Sequence, residues 1–148
     1  MPNPIGQLLV LCSPSMLQRS IAFLFLLSLA YSCGGGSSWD QAVSKANKAD
    51  KPLVVEFYAT WCKPCTWFEK NVLSDEEVVT ALTGVEFQRY DYDSTAGSHH
   101  AKRLGVRGVP AMVAVDREGK AFGRLDGAVP KARFLDFLRW THEERAKK

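Results

Sequence analysis

Beyond residue 38 the apolar positions fall into an ordered series of helical and strand spacings. Ser38 with Gln41 three residues on has the form of a capping box and predicts a short amphipathic helix through about Ala49, stopped by Pro52. The near-continuous apolar run Leu53 to Ala59 then predicts a strand buried on both faces, interrupted by one charge, Glu56. From Cys62 to Leu73 the spacing turns helical, with Cys65, Phe68 and Val72 on one side. Ser74 is the expected cap of a further helix over residues 75–82, closed by Gly84. Residues 85–93 alternate as a strand, and residues 98–104 predict a short helix ending at Gly105. Two strands around the turn at residues 117–120 predict a hairpin. Pro130 opens a last helix whose Phe134, Leu135, Phe137 and Leu138 form its buried stripe. A strand–helix–strand unit joined to a hairpin and a closing helix predicts an α/β fold, a mixed central β-sheet with helices on both faces.

The first 32 residues do not share this patterning. They hold no Asp or Glu, one basic residue (Arg19), and an apolar run from Ile21 to Tyr31. That run is too short to cross a bilayer, which takes about 20 residues, but fits the core of a secretory signal. Ala30 and Ser32 are the small residues a cleavage site needs before Cys33. Met16 begins a compact basic leader and is the expected initiator. The expected organisation is a signal peptide over residues 1–32, a glycine-rich tether over 33–38, and one folded domain over 39–148. With 148 residues, 46% of them hydrophobic, and a formal charge of +3, the chain can bury a core and has no basic–aromatic block suited to nucleic acid.

Cysteine usage sharpens the picture. Cys12 falls before the expected cut, Cys33 at it, and Cys62 and Cys65 remain as a C-x-x-C pair around Lys63 and Pro64. Cys33 would become the first residue of an exported chain. The stretch ending at Cys33 resembles a bacterial lipobox, with Ala30 in place of Leu, and the odd cysteine and the tether favour lipidation over plain cleavage. Three uses of the Cys62–Cys65 pair compete. A helix start stabilises a thiolate on Cys62 through unpaired N–H groups and the positive helix end, so thiol–disulfide exchange is one use. A zinc site needs four ligands; His99 and His100 point apart on one helix, read as exposed, and complete no set. A structural staple so tight stabilises a fold weakly.

The stretch from Val54 to Cys65, with Gly108-Val109-Pro110 downstream, resembles the thioredoxin-like family over about Asp40 to Trp140. Residues 57–78 are most similar to the C-terminal thioredoxin-like domain of the periplasmic reductase DsbD, whereas Lys63-Pro64 between the cysteines is closer to thioredoxin. The resemblance implies a thioredoxin fold and a thiol–disulfide oxidoreductase that needs no cofactor or metal. It implies Cys62 as attacker and Cys65 as resolver, tuned by Lys63 and Pro64. Val109-Pro110 matches a cis-proline that receives substrate backbone, Trp61 an aromatic flanking the site, and Glu56 the buried acid that handles the proton of the second cysteine. Arg89 falls where a lysine often accompanies that acid. The implied partners are protein thiols and disulfides in the periplasm, a membrane anchor through lipid on Cys33, and a membrane thiol transporter as electron donor. A disulfide oxidase or isomerase, or a redox-inactive binding module on the same fold, stand as alternatives.

Overall fold

The computed structural model describes residues 38–147; the expected signal segment, Cys33 and the tether up to residue 37 lie outside them, while Ser38, expected to end the tether, already belongs to the first helix. The elements are α1 (Ser38–Lys48), β1 (Leu53–Tyr58), α2 (Lys63–Phe68), a π-helical segment (Glu69–Leu73), α3 (Glu76–Leu82), β2 (Glu86–Asp91), α4 (Thr95–Arg103), β3 (Ala111–Val115), β4 (Ala121–Asp126) and α5 (Lys131–Ala146). The strands form one four-stranded sheet in the order β2-β1-β3-β4. β1 runs parallel to β2 and antiparallel to β3, and β4 closes the hairpin with a register irregularity at Ala114/Val115.

Strand periodicity divides the core into two layers. Leu53, Val55 and Phe57 of β1 point to one face, where Trp39, Ala42 and Ala46 of α1 and Ala101 of α4 cover them. Val54 points to the other face, where Phe68, Val72, Val78, Phe134, Phe137 and Leu138 pack. Phe68 meets Phe134 edge-on, with ring centroids 5.3 Å apart. Leu53 to Phe57 are all buried, as expected for a strand covered on both sides.

Several local expectations shift. The helix after the cysteines does not continue as one α-helix: Ser74 N–H donates to the carbonyl of Glu69, five residues back, 3.1 Å away. The widened turn keeps Val72 in the core while placing Glu69 beside Arg89. Asp75, not Ser74, caps α3, its Oδ1 accepting from Glu77 N–H at 3.0 Å, while the Ser74 hydroxyl donates back to the Lys70 carbonyl. Ser38 is itself helical, so the position before α1 lies outside the described residues. Pro130 sits one place before α5 and not within its first turn. His99 is exposed as expected, but His100 is buried. Its ring lies 4.8 Å from that of Trp39 and 4.9 Å from that of Tyr90, because α4 lays Gly97, His100 and Ala101 on the sheet face. Burial pushes the His100 pKa down, as the neutral ring is the form an apolar contact tolerates.

The seating of α4 on the end of β2 depends on Gly97. A Cβ there would lie 1.8 Å from the carbonyl oxygen of Asp91, which is backbone and cannot swing away. Gly97→Ala is therefore expected to destabilise the fold by about 1–3 kcal/mol or more, as overpacking does. A denaturant midpoint equal to that of the parent chain would refute the close approach.

Candidate active site

Cys62 and Cys65 form a disulfide, with Cα atoms 5.2 Å apart. β1 delivers the chain to this point, and the turn after it is held by Cys62 N–H donating to the Ala59 carbonyl at 3.1 Å. Cys62 is the N-cap of α2 and Pro64 occupies the first helical turn, where its missing N–H costs nothing. The Cys65 N–H points at Cys62 Sγ, 3.1 Å away. Both cysteines are covered, Cys62 at 3% and Cys65 at 4% exposure, packed with Ala59 against Tyr58, Tyr92 and Val109. Cys62 is thus not the more exposed of the two in the oxidised pair. Its position as N-cap distinguishes it instead, together with the carbonyl oxygen of Val109 3.7 Å from its sulfur.

The Val109–Pro110 peptide is cis, and buried Pro110 immediately precedes β3. Trp61 is 66% exposed beside the disulfide, its indole N–H donating to Asp93 Oδ2 at 2.6 Å. Lys63 and Pro64 are exposed. Trp39 is core, while Trp67 and Trp140 are partly open to solvent.

Glu56 is fully buried on the face of β1 opposite Val55 and Phe57. Arg89 stands directly across from it in the parallel pairing with β2 and donates from Nε to Glu56 Oε2 at 2.5 Å. The same guanidinium donates to Glu69 Oε1 at 3.0 Å and stacks 4.6 Å over the Tyr58 ring. Glu56 Oε1 has no hydrogen-bond partner. Burial raises the Glu56 pKa and outweighs the opposing pull of Arg89.

Of the residues singled out from sequence, the structure brings Trp61, Cys62, Cys65 and Val109 around the disulfide and seats Glu56 on Arg89. Asp93 and Glu69 were missed. Nothing in the sequence marks Asp93, because its partner comes from a different loop. Glu69 stands four residues after Cys65, a spacing that places both on one helical flank, but its tie to Arg89 needs the fold. Among the described residues no group of His, Cys, Asp and Glu side chains is arranged to hold a metal, and no helix is long and apolar enough to cross a membrane.

A raised carboxyl pKa has a definite sign in stability. Folded Glu56 holds its proton above the pH at which the unfolded chain gives it up, about 4.3, so stability falls as pH rises through and beyond that value. Glu56→Gln is expected to be more stable than the parent at about pH 8, with the advantage fading by about pH 4. Thermal melts at the two pH values check this. A variant less stable than the parent at the higher pH would mean that the Arg89 ion pair outweighs desolvation.

Comparison with known proteins agrees with this geometry. The thioredoxin-like domain family matches residues 39–141. Among characterised proteins, the chain is 32% identical to the chloroplastic thioredoxin-like protein HCF164 of Oryza sativa subsp. japonica over 74% of its length and 40% of the relative's. It is 33% identical to the thiol:disulfide interchange protein DsbD of Cronobacter sakazakii over 67% of its length and 18% of that protein's. The chain therefore spans less than half the length of these relatives. Among solved structures, a thioredoxin from Thermus thermophilus superposes with a TM-score of 0.64 at 30% identity, over 72% of this chain and 85% of that one. The oxidised C-terminal domain of Neisseria meningitidis DsbD gives 0.60 at 25% identity, over 69% and 90%. With its fold, its cis-proline loop and a cysteine pair closed as a disulfide, the chain belongs to the thioredoxin-like family of thiol–disulfide oxidoreductases.

Proposed function

We propose that the protein is an exported oxidoreductase that reduces or exchanges disulfides of other proteins in the periplasm, held to a membrane by lipid on Cys33. The observation that carries the redox reading is the Cys65 N–H directed at Cys62 Sγ at the start of α2. In the reduced protein that donor and the adjoining helix end favour a thiolate on Cys62. The thiolate attacks one sulfur of a substrate disulfide. A Cys62–substrate bond forms, the substrate S–S bond breaks, and the departing sulfur takes up a proton. Cys65 gives its proton to Glu56 and attacks Cys62 Sγ; the intramolecular disulfide forms, the Cys62–substrate bond breaks, and the second substrate sulfur leaves as a thiolate that takes up a proton from solvent, while Glu56 returns its own to solvent. Two electrons pass to the substrate, and a dithiol donor, a membrane thiol transporter in this reading, restores the reduced pair. Trp61 and the Val109–Pro110 loop border the sulfurs and receive the substrate chain, while Lys63 and Pro64 set the potential.

The roles are separable by trapping. Cys65→Ser should attack but not resolve, leaving substrates attached through Cys62 as extra bands on a non-reducing gel that vanish with dithiothreitol. Cys62→Ser should abolish exchange. Glu56→Gln should attack normally and release slowly when assayed between about pH 6 and pH 9, because the amide cannot take the proton of Cys65. Trapping by Cys62→Ser would reverse the assignment, and full activity in both cysteine variants would make the pair a staple.

Export has its own support in the acid-free leader, the apolar run and the small residues before Cys33. A mature chain should begin at Cys33, carry lipid there and sediment with membranes. Mass spectrometry of an unmodified Cys33 on a soluble chain would remove the anchor, and a cytoplasmic chain still bearing residues 16–32 would remove export as well.

A further inference from the structure

The acidic groups around the disulfide are spoken for inside the protein. Glu56 and Glu69 share Arg89, and Asp93 accepts from Trp61. Two basic groups are not. Lys63, between the two cysteines, and Arg107, two residues before Val109, are both exposed, and neither side chain makes a hydrogen bond or ion pair among the described residues.

Arg107 borders a cleft of ≈ 460 Å³ that runs from Val109 and Pro110 to Arg124, Asp126 and Gly127. The cleft begins beside the sulfur, since the Val109 carbonyl is 3.7 Å from Cys62 Sγ. Its rim is bare at two points: a Cβ added at Gly108 or at Gly127 would meet nothing within 4 Å. A substrate backbone can therefore lie close there. Arg124 is already committed to the fold, donating to the carbonyls of Leu104 and Gly105, with Asp126 4.0 Å from its Nε. Arg107 is the cation left to meet a ligand.

We propose that this cleft is a specificity subsite, in which Arg107 receives an Asp or Glu side chain next to the disulfide of the substrate protein. The proposal rests on the oxidoreductase reading above and names the substrate class. A guanidinium offers a carboxylate two parallel N–H donors, so an acidic flank gains both attraction and orientation. Lys63, exposed between the two cysteines, adds a second positive charge beside the disulfide. A basic flank meets repulsion at both places.

The test uses the pre-reduced protein and three synthetic peptide disulfides, alike except for glutamate, glutamine or lysine beside the cysteines. Each reduction transfers the two thiol hydrogens and two electrons of Cys62 and Cys65 to one peptide disulfide. The glutamate peptide should be reduced about 2–5 times faster than the lysine peptide at low ionic strength, the range expected of exposed charge pairs. The ratio should shrink towards one at about 0.5 M salt. Arg107→Glu should invert the ratio and Arg107→Lys should retain most of it, a rescue that loss of folding would not give. Equal rates for the charged peptides in the parent protein, or a ratio that Arg107→Glu leaves in place, would overturn the subsite. Reduction of the glutamine peptide separates the two readings. If it proceeds without charge discrimination, only the subsite fails, and if no peptide is reduced the oxidoreductase reading fails with it.

Discussion

Strand β1 is hydrogen-bonded along both edges, to β2 on one side and to β3 on the other, and its length fixes what comes next. A central strand cannot slip without breaking two ladders and turning its apolar residues to the wrong faces. Ala59 to Cys62 therefore leave the sheet at one place, against the loop that precedes β3. The sulfur of Cys62 and the carbonyl of Val109 meet because β1 ends beside the point where its antiparallel neighbour β3 begins. The same pairing sets Glu56 opposite Arg89, so the buried acid and its counter-ion are a product of register as much as of side-chain choice.

Glu56 shows two effects of opposite sign on one group. Its desolvation favours the neutral acid, and the guanidinium beside it favours the carboxylate. Arg89 is also shared with Glu69, which is exposed and needs the contact less. One cation between two carboxylates neutralises neither fully, and the buried one is left with an oxygen that no donor reaches. Desolvation is the larger of the two effects, so Glu56 keeps its proton to a higher pH than a free carboxylate does, the direction a proton acceptor needs.

Much of this was legible in the sequence, for reasons that differ by element. β1 and the buried stripe of α5 could be read because their periodicities are long and uninterrupted. The cysteine pair could be read because its spacing has few uses. His100 and Asp93 were beyond reach, since each owes its place to a partner far along the chain. The capping of α3 was misplaced by one residue because Ser74 and Asp75 both suit the role, and only the bond from Glu77 N–H decides between them. The π-helical turn leaves no periodic mark of its own. The cis peptide before Pro110 came from family resemblance alone, as a proline at a strand start reads the same in either isomer.

Among the described residues the sheet has two free edges, and both are poor templates for another strand. β2 carries Glu86, Gln88, Arg89 and Asp91 along its short length, and β4 carries Arg124 and Asp126 beside a hairpin whose register is broken at Ala114/Val115. Charge and irregularity at an edge discourage backbone from joining it. In the function proposed above, the protein would meet the extended backbone of its substrates repeatedly, and edges blunted in this way favour release over the growth of a shared sheet.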